Sequence, residues 1–339
     1  MERAANTMHD GFDRTARIAG LGAFLPERVL TNHDLERLVD TSDDWITSRT
    51  GISERRVVAD DEALADIVER AGRAAMDDAG VEPKAVDLFI LATATVEQPI
   101  PASSAIVQPK LGLENAVCFD LSAACSGFTY SLNVARQFIA TGEASTVLVV
   151  GAECLSRYVD WTDRSTCVLF GDGAGGVVLQ PAPKGEGILQ IQWRTDGSYA
   201  DLIAMPGGGC RFPPHSLDSI EQRLPFIKMR GNETFKVAVR SLTELSLEVL
   251  GNAGIGVEEI DLFIPHQANQ RIIQAVGQRL GLRDDQVFSN VHRVGNTSAA
   301  SIPLAMADAR EQGRLHRGDL VLTSSFGGGL TWASALFRF

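Results

Sequence analysis

Cys125, His266 and Asn296 are the residues of this chain whose types and settings suit nucleophilic and proton-handling chemistry. Cys125 lies in Phe119-Asp120-Leu121-Ser122-Ala123-Ala124-Cys125-Ser126-Gly127-Phe128, an apolar run that passes through small residues into a helical pattern. A thiol there stands at a strand-to-helix junction, where free backbone N–H groups and the helix dipole favour a thiolate. Read instead as a small hydrophobe, the same residue would simply be buried. His266, in Pro265-His266-Gln267-Ala268-Asn269-Gln270-Arg271, follows directly on a strand and has amides and a guanidinium beside it. That setting separates it from His9, His33, His215, His292 and His316, which read as ordinary histidines. Asn296, in Val294-Gly295-Asn296-Thr297-Ser298, either caps a helix over 299–310 or offers its amide to a site. Gly327-Gly328-Gly329 reads as a turn, or as backbone able to approach a reacting carbonyl.

The elements that must position these residues occur twice. A helix from Leu64 to Met76, a turn at Ala79-Gly80-Val81 and a buried strand from Val86 to Leu91 are followed later by the same series. The second series is a helix from Val239 to Leu250, a turn at Ala253-Gly254-Ile255 and a strand from Ile260 to Ile264. Lys110-Leu111-Gly112-Leu113 then matches Arg279-Leu280-Gly281-Leu282, Phe119 matches Phe288, and 145–151 matches 319–325. Strands alternating with helices imply mostly parallel sheets covered by helices. Residues 18–182 and 183–339 form the two halves, with 1–17 a loose tail. Cys125 and Asn296 occupy equivalent loops, and His266 ends a strand of the second half. Pseudo-twofold packing would bring all three together at the carboxyl ends of strands, where α/β sites sit.

Composition narrows the possibilities. The chain has 339 residues, 45% hydrophobic and 22% charged, with a net charge of −12 that weighs against nucleic acid as a partner. Its longest apolar runs fall far short of the ~18 residues of a membrane span. The first residues lack the apolar core of a secretory signal. Five irregularly spaced cysteines suit neither a disulfide framework nor zinc, and point to a reducing cytoplasm. Lys228, Arg230, Lys236 and Arg240, followed by Arg271, Arg279 and Arg283, form a local basic cluster, read either as a solvated face or as a docking patch for an anionic partner. Nucleotide-fold motifs are poorly supported: Gly20-x-Gly22 runs into Pro26, and Gly171 to Gly176 leads into a strand where the fingerprint needs a helix.

Seven motifs carry a resemblance. They are Asp44-Trp45-Ile46-x-x-Arg49-Thr50-Gly51-Ile52, Ala123-Ala124-Cys125-Ser126-Gly127-Phe128, Phe170-Gly171-Asp172-Gly173-Ala174-Gly175 and Arg230-Gly231-Asn232-Glu233-x-Phe235-Lys236. His266-Gln267-Ala268-Asn269, Gly295-Asn296-Thr297-Ser298 and Phe326-Gly327-Gly328-Gly329-Leu330-Thr331-Trp332 complete the set. In this order, from about Ile18 to the end, the chain resembles the β-ketoacyl-acyl carrier protein synthase III family of the thiolase superfamily. The resemblance implies a duplicated five-layer αβαβα fold with mixed sheets, working as a homodimer without a permanently bound cofactor. It implies a Cys125-His266-Asn296 triad that takes an acyl group from acyl-coenzyme A and condenses it with malonyl-acyl carrier protein. Cys125 and Gly328 would supply the oxyanion N–H groups. Trp45, Arg49, Arg164, Asn232 and Asn269 match coenzyme A contacts, and Lys236 and Arg271 match carrier-protein docking positions. Ile100 stands where relatives limit the acyl pocket.

The chemistry suits these residue types. Exchange of a thioester onto another sulfur is nearly isoenergetic, and a developing enolate needs donors that carry no negative charge. Thr95-Val96-Glu97 and Ala102 depart from the family pattern and leave acyl preference open. A degradative thiolase would need a second cysteine near Gly327, where none stands, and a hydroxymethylglutaryl synthase would need a glutamate near the nucleophile, for which the best local candidates, Glu69 and Glu97, match no motif. A papain-like protease lacks its Cys-Gly-Ser-Cys-Trp signature here. An enzyme priming polyketide or specialised-metabolite synthesis, or an acyltransferase on the same fold, is the alternative reading.

Overall fold

The structure, a computed structural model, describes residues 14–339. In the first half, β1 (Arg14–Phe24), α1 (Leu64–Ala79), β2 (Leu88–Ala92), α2 (Ser103–Leu111), β3 (Val117–Leu121), α3 (Gly127–Thr141), β4 (Val147–Glu153) and β5 (Gly173–Pro183) succeed one another. In the second half the series is β6 (Ile188–Thr195), α4 (Gly231–Ala253), β7 (Leu262–Phe263), α5 (Gln270–Leu280), α6 (Ser301–Glu311), β8 (Leu320–Gly327) and β9 (Thr331–Arg338). The sheets run β1-β5-β4-β2-β3 and β6-β9-β8-β7. A parallel bridge from Phe263 to Val287 stands where the second copy would carry the partner of β3. The duplication read from sequence is therefore present strand by strand.

Both sheets are mixed, as the resemblance implies: in the first, β1, β5 and β4 pair antiparallel while β4-β2 and β2-β3 are parallel, and in the second, β7-β8 is parallel while β8-β9 and β9-β6 are antiparallel. The long ribbon of β1 on β5 was not legible as antiparallel, because a fully buried strand reads the same in either direction. The segment read as a tail also overlaps β1, since Arg14 pairs with Pro183 and Arg17 with Gln180. The remainder of that tail, 1–13, lies outside the described residues.

Apolar periodicity explains the layers. Ile67, Val68, Ala71, Ala75 and Met76 form one stripe of α1, and it packs with Val107 and Leu111 of α2 on the outer face of the first sheet. Gly20 and Gly22 belong to this contact: a Cβ at either would stand 2.4 and 2.2 Å from backbone atoms of α1. Phe128, Leu132 and Ile139 of α3 and Ile302 and Met306 of α6 fill the space between sheets, touching Val149 on one side and Val321 on the other. Each such side chain contributes about 1.5–3 kcal/mol of burial. Leu242, Val249 and Val276 of α4 and α5 cover the second sheet. The order helix, sheet, helix, sheet, helix gives the five layers that the resemblance implies.

Candidate active site

Carboxyl ends of strands from both halves converge on a cavity of about 560 Å³. Cys125, His266 and Asn296 all line it. Cys125 sits in a single 3-10 turn, 124–126, between β3 and α3. Ala124 takes a left-handed φ of 46° to make the bend. Two bonds pin this loop to β9 of the other half: Ser126 Oγ donates to Thr331 O at 3.0 Å, and Thr331 Oγ1 donates to Ala123 O at 2.9 Å. The end of β8 presses against it, with a Cβ built on Gly327 only 2.6 Å from the Cys125 nitrogen. Gly327→Ala should therefore displace the nucleophile loop and lower acyl loading by about 10²-fold, the usual effect of a misplacement near 1 Å. Unchanged loading in a stopped-flow acylation assay would show that the loop yields without loss.

The thiol itself departs from expectation. Cys125 keeps part of its surface, yet burial pushes its pKa up to about 12; a Ser298 hydrogen bond and its own backbone N–H lower it, and the Glu153 charge adds to the rise. Desolvation of the sulfur thus works against a thiolate, while its hydrogen bonds and position before α3 work for one.

His266 is buried, and its ring is held by a 2.6 Å contact between Nδ1 and Ser301 Oγ. Burial pulls its pKa down to about 3, so the imidazole is neutral at ordinary pH. Nδ1 is occupied by Ser301, which leaves Nε2 as the nitrogen for chemistry. Asn296 is clamped on both backbone sides, its N–H donating to Leu169 O at 2.8 Å and its carbonyl accepting from Gly171 at 3.0 Å. The Phe170 to Gly175 motif thus acts as a brace. The Asn296 Oδ1 accepts the Ser298 N–H at 2.9 Å, so the amide presents its NH₂ donors elsewhere. A neutral ring nitrogen and an amide NH₂ on one cavity wall can stabilise an oxyanion without competing as nucleophiles.

Glu153 is the feature that sequence reading missed. It ends β4, the fully buried strand, and accepts bonds from Thr95 Oγ1 at 2.7 Å, Ala94 N at 3.1 Å and Ser298 Oγ at 2.9 Å. Burial pushes its carboxyl up to about 7. A charge closing an otherwise apolar run was the available signal.

The remaining expected contacts divide. Trp45, Arg49, Asn232, Lys236, Asn269 and Arg271 line the same cavity. Trp45 lies under two guanidinium groups, Arg49 at 4.7 Å and Arg164 at 4.9 Å from the ring centroid. Arg164 itself is outside the cavity lining and donates to Asp40 O at 2.8 Å. Asn269 caps α5 through Oδ1 to the Arg271 N–H at 2.8 Å, and its Nδ2 donates to Arg49 O at 3.1 Å. Arg230 pairs with Asp201 at 2.9 Å and Arg283 with Asp285 at 3.0 Å. Ile100 is 85% exposed and is not among the residues of this chain that line the cavity. Among the described residues there is no cluster able to hold a metal, and no helix is long and apolar enough to cross a membrane.

Comparison with known proteins agrees with this geometry. Residues 119–197 match the family described as 3-Oxoacyl-[acyl-carrier-protein (ACP)] synthase III, and 250–339 match 3-Oxoacyl-[acyl-carrier-protein (ACP)] synthase III C terminal. A beta-ketoacyl-[acyl-carrier-protein] synthase III of Symbiobacterium thermophilum is 50% identical over 96% of this chain and 98% of its own length. The crystal structure of 3-oxoacyl-[acyl-carrier-protein] synthase III from Aquifex aeolicus covers 96% of this chain and all of its own, at 46% identity and a TM-score of 0.89. A priming β-ketosynthase from the R1128 polyketide pathway is also similar, at 33% identity and a TM-score of 0.88 over 98% and 99% of the two chains. Near-complete coverage at half identity, on a fold whose strand ends assemble Cys125, His266 and Asn296, shows that the chain belongs to the 3-oxoacyl-[acyl-carrier-protein] synthase III family.

Proposed function

We propose that the protein condenses an acyl-coenzyme A primer with malonyl-acyl carrier protein, giving 3-oxoacyl-carrier protein, carbon dioxide and coenzyme A. This is the initiation step of type II fatty acid synthesis. The observation that carries the reading is the joint presence of Cys125, neutral His266 and Asn296 on one cavity that opens among coenzyme-binding and basic side chains. Cys125 Sγ attacks the thioester carbonyl while the N–H groups of Cys125 and Gly328 receive the developing oxyanion. Coenzyme A leaves, and the malonyl group takes its place. His266 Nε2–H and Asn296 Nδ2 stabilise the enolate formed as carbon dioxide departs, and that carbon attacks the acyl-cysteine. For Nε2 to donate, Nδ1 must be unprotonated and accept a hydrogen bond from the Ser301 hydroxyl, a role that the 2.6 Å contact supports.

Coenzyme A enters as a substrate and no resident cofactor is needed. Its adenine would stack on Trp45 beside Arg49 and Arg164, with Asn232 and Asn269 along the pantetheine path. At the mouth, Lys236 and Arg271 have no ion-pair partner among the described residues, whereas Arg230 and Arg283 do. Free cations there favour an acidic carrier protein over intramolecular pairing. Arg271→Glu is expected to raise the carrier-protein KM at least tenfold, about the 1.4 kcal/mol that a lost and reversed rim charge supplies. The acyl-coenzyme A KM should move far less, and an unchanged carrier KM would remove Arg271 from docking.

A homodimer in the cytoplasm completes the reading. β3 is a sheet edge with Val117 66% exposed, and Ile100 stands 85% exposed. An unpaired edge with apolar residues beside it invites a second copy. Ile100 would then meet the partner. Ile100→Asp should shift the protein toward monomer in analytical ultracentrifugation, and a dimer of unchanged affinity would place the interface elsewhere. The condensation itself is tested by supplying a panel of acyl-coenzyme A thioesters with malonyl-acyl carrier protein. Release of carbon dioxide together with 3-oxoacyl-carrier protein is expected; absence of product from every primer would overturn the function.

A further inference from the structure

Arg55 is a fully buried arginine that stands behind the cavity wall and outside its lining. It belongs to the short strand Glu54–Arg56, which pairs with Val29–Thr31. A buried guanidinium is costly to keep unless acceptors surround it. Among the described residues no carboxylate bonds to Arg55, and oxygens from two distant segments meet its charge instead. Nη1 donates to Leu30 O at 3.1 Å and to Asn32 Oδ1 at 2.9 Å, and Nη2 donates to Val168 O at 2.8 Å. Nε has no acceptor among the described residues, so those three bonds carry the whole of the compensation and none can lapse without exposing a buried charge.

Val168 leads into the segment that clamps Asn296. Leu169 O accepts the Asn296 N–H, and Gly171 N–H donates to Asn296 O. The stem of Arg55 lies against both glycines of this clamp, since a Cβ built on Gly171 or on Gly295 would stand 3.1 Å from the Arg55 Cβ. Its neighbour adds a main-chain tie, the Asp172 N–H donating to Arg56 O at 2.8 Å. At the other end of the fork Asn32 is itself anchored, its Nδ2 donating to Asp43 Oδ1 at 2.8 Å and to Ile52 O at 2.7 Å. One side chain therefore backs the Asn296 loop with its stem and ties the adjoining wall with its fork.

We propose that Arg55 is a positioning residue for Asn296, holding the 168–170 wall and the Gly295-Asn296 turn at a fixed distance from the 30–32 segment so that the amide meets the enolate. The inference rests on the proposed role of Asn296 in decarboxylation. Arg55 touches no reacting atom and moves no proton. Cys125 is held by other means, the bonds between Ser126, Thr331 and Ala123, so acyl loading does not depend on Arg55. Lysine keeps the charge and most of the stem, but it has no planar fork to reach Val168 O and the 30–32 segment together.

The test compares two half-reactions in full-length Arg55→Lys protein: acyl labelling of Cys125 at saturating acyl-coenzyme A, and carbon dioxide release from malonyl-acyl carrier protein. Release should fall about 10²-fold, the usual effect of a misplacement near 1 Å, with labelling within about threefold of wild type. In an Asn296→Ala background the same substitution should lower release by no more than about twofold, because residues that act through one group are not additive. A full further loss in that background, or an equal fall in labelling, marks general disruption and overturns the inference. Hydrogen exchange reads the positioning without the reaction: the Asn296 and Gly171 amides should exchange about tenfold faster in Arg55→Lys, while the Ser126 amide of the nucleophile loop keeps its rate. Unchanged exchange at Asn296 and Gly171 removes Arg55 from this role. If lysine prevents folding, Asn32→Ala takes away one acceptor and leaves the guanidinium in place; it should give the same split at about tenfold, and wild-type release overturns the inference. Wild-type protein that releases no carbon dioxide overturns the function beneath the inference and with it the role in decarboxylation, a failure that the exchange rates keep apart from failure of the positioning itself.

Discussion

Cys125→Ala is expected to abolish the mass increment that acyl-coenzyme A leaves on the wild-type peptide, with condensation falling on the order of 10⁴-fold or more. No other thiol can substitute. Burial pushes Cys118 and Cys167 each up to about 11 and raises Cys154 further. Cys210 is exposed, and neither it nor those three lines the cavity. The measurement is intact and peptide mass spectrometry after brief exposure to the thioester panel. A label of wild-type rate and extent in the alanine variant would move the nucleophile elsewhere. The most readily loaded chain in wild type would also define the primer class, which the departures at Thr95-Val96-Glu97 leave open.

His266→Ala separates the two half-reactions. Acyl loading should survive largely intact, while malonyl decarboxylation falls about 10²–10³-fold, the usual effect of losing one oxyanion donor. Radiometric carbon dioxide release beside acyl-enzyme formation distinguishes the steps; equal loss in both would contradict the assigned role. The same burial makes a prediction about pH. His266 binds its proton below about 3 when folded but near 6.5 when unfolded. Between those values the unfolded chain holds more protons, so stability falls as pH drops from 6.5 toward 3. The His266→Ala protein should lose less Tm than wild type between pH 7 and pH 4. An equal loss would assign acid sensitivity to other groups.

Much of the architecture follows from local pattern. Period and spacing in 64–91 and 239–264 identify a repeated helix and strand, since one face of each must be apolar to pack. Once the repeat is recognised, Cys125 and Asn296 fall on equivalent loops and His266 on a strand end, and the fold does bring them to one cavity. Strand direction was less legible: β5 and β9 run antiparallel to their neighbours, and a buried strand carries the same apolar composition in either direction.

Residue type and strand-end position thus belong to the sequence, and they suffice to name a candidate nucleophile and its two candidate partners. Their protonation belongs to the tertiary structure. Ser298 meets Glu153, and His266 meets Ser301, through contacts between segments far apart in the chain. Desolvation by surrounding walls, which no local window contains, raises the thiol and lowers the imidazole. Exposure is likewise a property of the whole: that Ile100 is 85% exposed on the folded chain cannot be read from its sequence neighbours. A sequence lists the groups available for chemistry, and packing sets the dielectric and the neighbours that decide where each proton rests.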